Sequence, residues 1–187
     1  MTFAFSTSSR FVSVAIFESG EVIFSGELDA PRAASQACME LIQRSGISVD
    51  LGTRFCADLG PGSFTGVRVG VMLAKTFGFC NQVLVAGSNA FDLVNAHGTV
   101  ALPSKRGEWF VRLPGEPPVR QGDVPQDATG YGWEPVSEGP RVQFPTARAF
   151  VKLVDHLEWV SPEVLMPDYL IEPSISTPNL PLSRMNG

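Results

Sequence analysis

Residues 63–79 read SFTGVRVGVMLAKTFGF, and no other segment constrains the fold as strongly. Only Arg68 and Lys75 carry charge here, and their spacing puts them on one side of a helix. Everything else is apolar or small, so a helix over these residues must be covered nearly all round. Gly66, Gly70, Ala74 and Gly78 recur at every fourth position and form a smooth stripe. Each glycine in a helix interior costs about 1 kcal/mol against alanine. Such a stripe therefore predicts another backbone packed closely against it. A second small stripe, Ala33, Ala34 and Ala37, lies on a helix expected over residues 30–45. One partner of these stripes is expected inside the chain and a second in another protein.

The flanking segments supply a sheet. TFAFS, RFVSVAIFE and EVIFSGEL read as three strands, the last two joined by Ser19-Gly20, a tight hairpin turn. The 30–45 helix follows, with Asp29 as its cap, Pro31 in its first turn and Gly46 as its stop. Ala34, Ala37, Cys38, Leu41 and Ile42 line its inner side. RFCADL is a strand leading into a glycine-rich turn and the apolar helix, and QVLVAG is a further buried strand. Three strands, helix, strand, helix, strand is the order of an α/β, ribonuclease-H-like sheet. In the second half, TVALP and EWFVRLP pair across Lys105-Arg106-Gly107. Residues 114–145, rich in proline, glycine and acids, suit loops or short edge strands. A helix is expected over 146–159, capped by Thr146, with Phe150, Leu153, Val154 and Leu157 inward, and the final dozen residues read as a loose tail.

With 44% hydrophobic and 18% charged residues in 187, the chain can bury a core as one domain or two small lobes. A net charge of -5 without basic blocks excludes a face that grips nucleic acid by itself. Cys38, Cys56 and Cys80 sit in apolar contexts and are expected as reduced core residues. No signal peptide is read at the N-terminus, and no apolar run approaches the ~18–20 residues of a membrane span. A cytoplasmic protein away from membranes is the expectation. His97 and His156 stand far apart without a cysteine or second histidine nearby, so no metal site is expected.

The turn before the apolar helix holds Gly60, Pro61, Gly62, Ser63, Phe64, Thr65 and Gly66. It lacks the lysine of a phosphate-binding P-loop, and its third glycine falls one place late for a dinucleotide fingerprint. Two readings stay open. Backbone N–H groups at the helix start, with Ser63, Thr65 and Arg68 nearby, attract an anion. Alternatively, the turn is structural and Ser63 caps the helix. Ser63 and Ser88 lack the histidine, the acid and the G-x-S-x-G elbow of a hydrolase, so no catalytic residue is expected.

The stretch GPGSFTGVRVGVMLAKTFGF resembles the signature of the TsaB (YeaZ) family of tRNA threonylcarbamoyladenosine biosynthesis proteins. FAFSTSS, TVALPSKRGEWFV and PDYLI are similar to further family segments. The resemblance implies an actin/Hsp70-like ATPase fold of two ribonuclease-H-like lobes, the second reduced. Residues 1–97 would form the first lobe, 98–172 the second and 173–187 a tail. It also implies a non-catalytic partner of TsaD, the paralogue that threonylcarbamoylates the adenosine 3′ of the anticodon. TsaE, an ATPase, would join the pair, and tRNA would be met indirectly. The family associates with TsaD, or with a second copy as a homodimer, through its first two helices. Ala33, Ala34, Ala37, Leu41, Val67, Gly70, Val71, Ala74, Phe77 and Gly78 are accordingly the expected interface.

Two departures bear on chemistry. Ser6 stands where the fold usually carries an acid for Mg²⁺, and Pro103-Ser104-Lys105 replaces an Asp-Ala-Arg of the second lobe. His97 and His156 do not form the His-x-x-x-His pair of the TsaD paralogue. No tightly bound cofactor is expected, while weak nucleotide binding at the loop stays open. The competing reading is a phosphotransferase or ATPase of the same fold acting on a small molecule.

Overall fold

The computed structural model describes residues 1–49, 53–132 and 141–170. The chain opens with a meander of β1 (Thr2–Ser6), β2 (Phe11–Glu18) and β3 (Glu21–Asp29). Ser19 (φ 51°) and Gly20 (φ 82°) both adopt the left-handed region, as the expected two-residue hairpin requires. Helix α1 (Ala34–Ser45), β4 (Arg54–Asp58), α2 (Phe64–Asn81) and β5 (Val85–Ser88) complete the first lobe. The sheet order is β3-β2-β1-β4-β5, with β1, β4 and β5 parallel.

Helix α1 starts later than its spacing predicts. Ala30 N–H donates to Arg10 O (3.0 Å), which keeps the chain on the sheet edge. Asp29 is an ion-pair partner of Arg10 rather than a cap, and Ala33 holds the cap position without a side-chain bond. Gly46 closes the helix as expected, in the left-handed conformation (φ 64°).

All five residues of β1 are buried, so both faces of its sheet must be covered. On one face α1 and α2 enclose Phe3, Phe5, Val12, Val14, Ile16 and Phe55 with Leu41, Val67, Val71 and Ala74. The other face is flatter, with Ala4, Ala15, Cys56 and Ala86, and meets Leu93, Ala147 and Phe150. The last two come from a returning segment: a 3₁₀ turn Ala147–Ala149, one turn of helix and a second 3₁₀ turn Val154–His156. The predicted continuous helix over 146–159 is thus broken. Val160 pairs with Val85 through two backbone bonds (2.8 and 2.9 Å), and the chain must be extended to reach it.

A short helix, α3 (Ala90–Asn95), leads to the second sheet, and Asn89 caps it by accepting from Asp92 N–H (2.9 Å). The second sheet holds β6 (Val100–Pro103), β7 (Trp109–Arg112), β8 (Val119–Gln121), β9 (Thr129–Gly130) and β10 (Arg141–Val142), in the order β10-β9-β6-β7-β8. Its core joins α3 to the sheet through Phe91, Val94, Leu102, Phe110 and Tyr131. The expected 105–107 hairpin is present, with Pro103 opposite Trp109 and Gly107 left-handed (φ 77°). Residues after Thr146 pack on the first sheet, so chain assigned to the second lobe by sequence returns to the first. The expected tail, 173–187, lies outside the described residues.

Candidate functional site

The glycine loop leaves the end of β4 and enters α2 directly. Ser63 Oγ accepts from Gly66 N–H (3.2 Å), so the serine caps the helix as one sequence reading had it. Ser63 N–H donates to Ser8 O (2.7 Å). A methyl group at Gly62 would lie under 3.0 Å from Ser8 O, and one at Gly66 equally close to Thr7 O. At Gly70 it would lie 2.5 Å from Thr7 Oγ1. Here the close approach that the glycines permit is made by the chain's own Thr7–Ser8 segment, where β1 ends. Gly60 takes φ 90°, and its carbonyl accepts from Ala90 N–H (2.6 Å), tying the loop to α3.

Beneath the loop lies a residue the sequence reading passed over. Asp58, the last residue of β4, is fully buried. Its Oδ2 is 2.8 Å from Ser6 Oγ and 2.5 Å from Ser8 Oγ, and its Oδ1 accepts from Gly60 N–H (2.9 Å). Burial raises its pKa, opposed by the bonds from Ser8, Gly60 and Ser6. Tyr131 reaches in from the second lobe and donates to Ser8 O (3.4 Å), and burial pushes its phenol up. The end of β1 is therefore not acid-free, since a carboxyl from the neighbouring strand adjoins Ser6. The signal was a lone acid inside the otherwise apolar stretch FCADL.

This carboxyl does not fit a Mg²⁺–nucleotide. Both its oxygens are engaged and shut from solvent, whereas Mg²⁺ bound with a nucleotide keeps waters and needs open carboxylate oxygens. Among the described residues no three His, Cys, Asp or Glu side chains gather to hold a metal ion. Pro103-Ser104-Lys105 lies in the β6–β7 hairpin, where Ser104 N–H bonds Glu108 O (3.1 Å). His97 and His156 are both exposed, the first beyond the end of α3 and the second in a 3₁₀ turn.

The small stripe of α2 points inward. Gly66, Val67, Gly70, Val71, Ala74 and Gly78 are buried within the chain, and Gly78 lies against Val85 and Pro162. Phe77 stacks on Phe55 (5.4 Å between centroids) and Phe5 (6.2 Å). On α1, Ala37 and Leu41 are buried, and Ala33 and Ala34 half-buried. The residues expected at a partner interface thus belong largely to the chain's own core.

Outward, α2 shows Thr65, Arg68, Met72, Thr76, Phe79 and Cys80. Met72 is 56% exposed, Phe79 68%, and Met39 on α1 50%. Cys80 departs from the expected burial that Cys38 and Cys56 show. The two charges of α2 hold the returning chain. Lys75 Nζ donates to Glu163 O (3.1 Å) and Leu165 O (3.0 Å). Arg68 Nε donates to Tyr169 OH (3.0 Å) with its guanidinium 4.0 Å from the Phe64 ring centre. Residues 163–169 therefore strap α2 on one flank, while α1 lies on another. Among the described residues, no helix is long and apolar enough to cross a membrane.

Comparison with known proteins supports this fold. A family model described as TsaD, tRNA N6-adenosine threonylcarbamoyltransferase, matches residues 31–99, the run from α1 to α3. The structure is similar to YeaZ from Pseudomonas aeruginosa (TM-score 0.69, 18% identity, covering 89% of this chain and 99% of that one). It is also similar to a protein described as uncharacterized, with similarity to peptidase YEAZ, from Pseudomonas aeruginosa (TM-score 0.68, 21% identity, 91% and 99% covered). No curated protein sequence matches the chain. These likenesses show the fold: two α/β lobes of the actin/Hsp70-like ATPase type.

Proposed function

We propose that this chain is a TsaB (YeaZ)-type protein, a non-catalytic partner of TsaD in the threonylcarbamoylation of the adenosine 3′ of the anticodon in tRNA. The GPGSFTGVRVG signature and the fold likeness support the assignment. One observation carries the partner role: α2 spends its glycines and alanine on internal packing and still leaves Met72 and Phe79 more than half exposed. Met39 of α1 is half exposed as well, and burial of such side chains in a complex would stabilise by roughly 25 cal/mol per Å² of apolar surface. TsaD is the occupant of this reading. A second copy would compete for the same face as a homodimer, TsaE would join the assembled pair, and tRNA would be met through TsaD. The cytoplasm is the compartment that this role in tRNA modification implies.

In this role the glycine loop launches α2 and no catalytic residue is required of the chain. The enclosed Asp58 speaks against the phosphotransferase alternative, because its oxygens bond Ser6, Ser8 and Gly60. Any nucleotide affinity of the loop would then be weak. The test is co-purification with TsaD and reconstituted tRNA modification, using Met72→Glu and Phe79→Glu. Both side chains are exposed, so the monomer should keep its melting temperature within about 2 °C. Binding to TsaD should fall at least about 100-fold if these are central anchors. Unchanged binding by the double variant would end the proposal for this surface.

A further inference from the structure

The polar cluster under the glycine loop can be settled by counting protons. Ser6 Oγ stands 2.8 Å from Asp58 Oδ2 and 3.1 Å from Pro145 O, and Ser8 Oγ stands 2.5 Å from the same Oδ2. Ser6 has one hydroxyl proton for two acceptors. If Asp58 is ionised, either Pro145 O is left without that proton, or the Ser6 lone pairs face a carboxylate oxygen at hydrogen-bond distance. Both arrangements are costly where Ser6, Ser8 and Asp58 are 0–1% exposed. One added proton on Oδ2 removes the conflict. Asp58 then donates to Ser6, Ser6 donates onward to Pro145 O, Ser8 donates to Asp58 Oδ2, and Gly60 N–H donates to Oδ1. Every group in the cluster is then satisfied.

We infer that Asp58 is a neutral carboxylic acid in the folded protein, and that its proton pins together the end of β1, the glycine loop and the Pro145 corner of the returning chain. This inference is independent of the proposed role with TsaD. It makes Asp58 a positioning residue. The place beside the end of β1, where the fold's usual acid would offer an anion to Mg²⁺, is filled by an uncharged group that donates rather than ligates. Of the groups packed round it, Ser6, Ser8, Gly60, the Pro145 corner and Tyr131, only Tyr131 titrates, and it stays a neutral phenol. Burial acts in the same sense as the proton count.

The test reads the proton directly. Full-length protein with ¹³C-labelled aspartate carboxyls is followed by NMR between pH 4 and 8, with Asp58→Asn for assignment. The Asp58 carboxyl should hold the shift of a protonated acid through pH 7, while the exposed aspartates titrate. Near pH 4, before the unfolded aspartate ionises, Asp58→Asn, a neutral group of the same shape, should keep the unfolding equilibrium constant within about tenfold of the wild type, and it should lack the wild type's loss of stability at higher pH. If that variant fails to fold, infrared spectra of the wild type in D₂O at pH 7 still decide, through a protonated carboxyl C=O band. The sign of the pH dependence follows too. The folded state retains a proton that the unfolded chain releases above the ordinary aspartate range near pH 4, so stability falls as pH rises. This group alone raises the unfolding constant by up to about tenfold per pH unit until its folded pKa is passed. An Asp58 carboxyl with the carboxylate shift at pH 7, or no protonated C=O band, would overturn the inference.

Discussion

Alanine at Gly66 and Gly70 separates the internal use of the glycine stripe from helix propensity. In an uncrowded helix interior either change should stabilise, by about 1 kcal/mol. In this fold both should destabilise. The Gly66 methyl would fall under 3.0 Å from the carbonyl oxygen of Thr7, a backbone atom wedged between the fully buried β1 and the helix. It is relieved only by moving α2 off the sheet, at the upper end of the ~1–3 kcal/mol typical of overpacking. Subtracting the propensity gain leaves a net loss of about 1–2 kcal/mol, or roughly 2–8 °C in melting temperature for a chain of this size. At Gly70 the clash is with Thr7 Oγ1 at 2.5 Å, the end of a side chain. Thr7→Ala removes that atom, so the Gly70→Ala/Thr7→Ala pair should show a favourable coupling of about 1 kcal/mol or more. Thr7→Ala should leave Gly66→Ala unrescued, because the offending carbonyl remains. Urea unfolding followed by circular dichroism measures all five variants, with constant m-values as the check on two-state behaviour. Gly66→Ala as stable as the wild type, or rescue of both glycine positions alike, would refute the reasoning.

Other expectations follow from the same packing. In the native protein one thiol, Cys80, should react quickly with an aromatic disulfide reagent. Cys38, whose thiol burial raises to about 12, and the equally enclosed Cys56 should react only on unfolding, and two fast thiols would contradict the burial. Lys75→Met removes the ammonium that bonds the carbonyls of Glu163 and Leu165. Hydrogen exchange and proteolysis within residues 161–169 should rise while the α1–α2 core stays protected, and the global stability loss should be only about 0.5–1.5 kcal/mol. Equal protection of the strap in wild type and variant would show that Lys75 does not hold it.

The legible parts of this fold are those set by local pattern. The buried strands β1, β2, β4 and β5 announce themselves as apolar runs, and the Ser19-Gly20 turn fixes the first hairpin. Helix α2 was readable from its period, and so was the need for a close neighbour along its small stripe. Which neighbour was not readable, because a stripe records only that a backbone comes near. Thr7 and Val85 were as compatible with it as another molecule. Helix α3 escaped notice because six residues give less than two turns of periodicity, although Asn89 three residues before Asp92 was a usable cap signal. Residues 146–169 read as second-lobe chain because return to the first sheet is a tertiary fact, decided by the flat patch of Ala4, Ala15, Cys56 and Ala86 that awaits a cover. Asp58 reads in the sequence only as one residue of the strand RFCADL. Only the parallel pairing of β1 with β4 brings it beside Ser6 and gives the acid its meaning.

These misreadings share one physical cause, and it bears on how α2 works. A helix with two charges in seventeen residues looks as though a partner must wrap it, yet most of that wrapping comes from its own chain. The sheet takes the face of Val67, Val71, Ala74 and Phe77, and the strap takes the flank marked by Arg68 and Lys75. The two cations are therefore not solvent markers. Lys75 fastens a backbone segment to the helix and Arg68 the Tyr169 side chain, which narrows what remains open to the band through Met72 and Phe79. A narrow band on a helix immobilised on both sides is a better docking element than a loosely held one, because little conformational entropy is left to lose on association. In the proposed complex the glycine stripe would contribute to partner binding only indirectly. By letting Thr7 and Val85 press close, it fixes the rotation of α2 about its axis, and that rotation decides that Met72 and Phe79, rather than Val71 and Phe77, face outward.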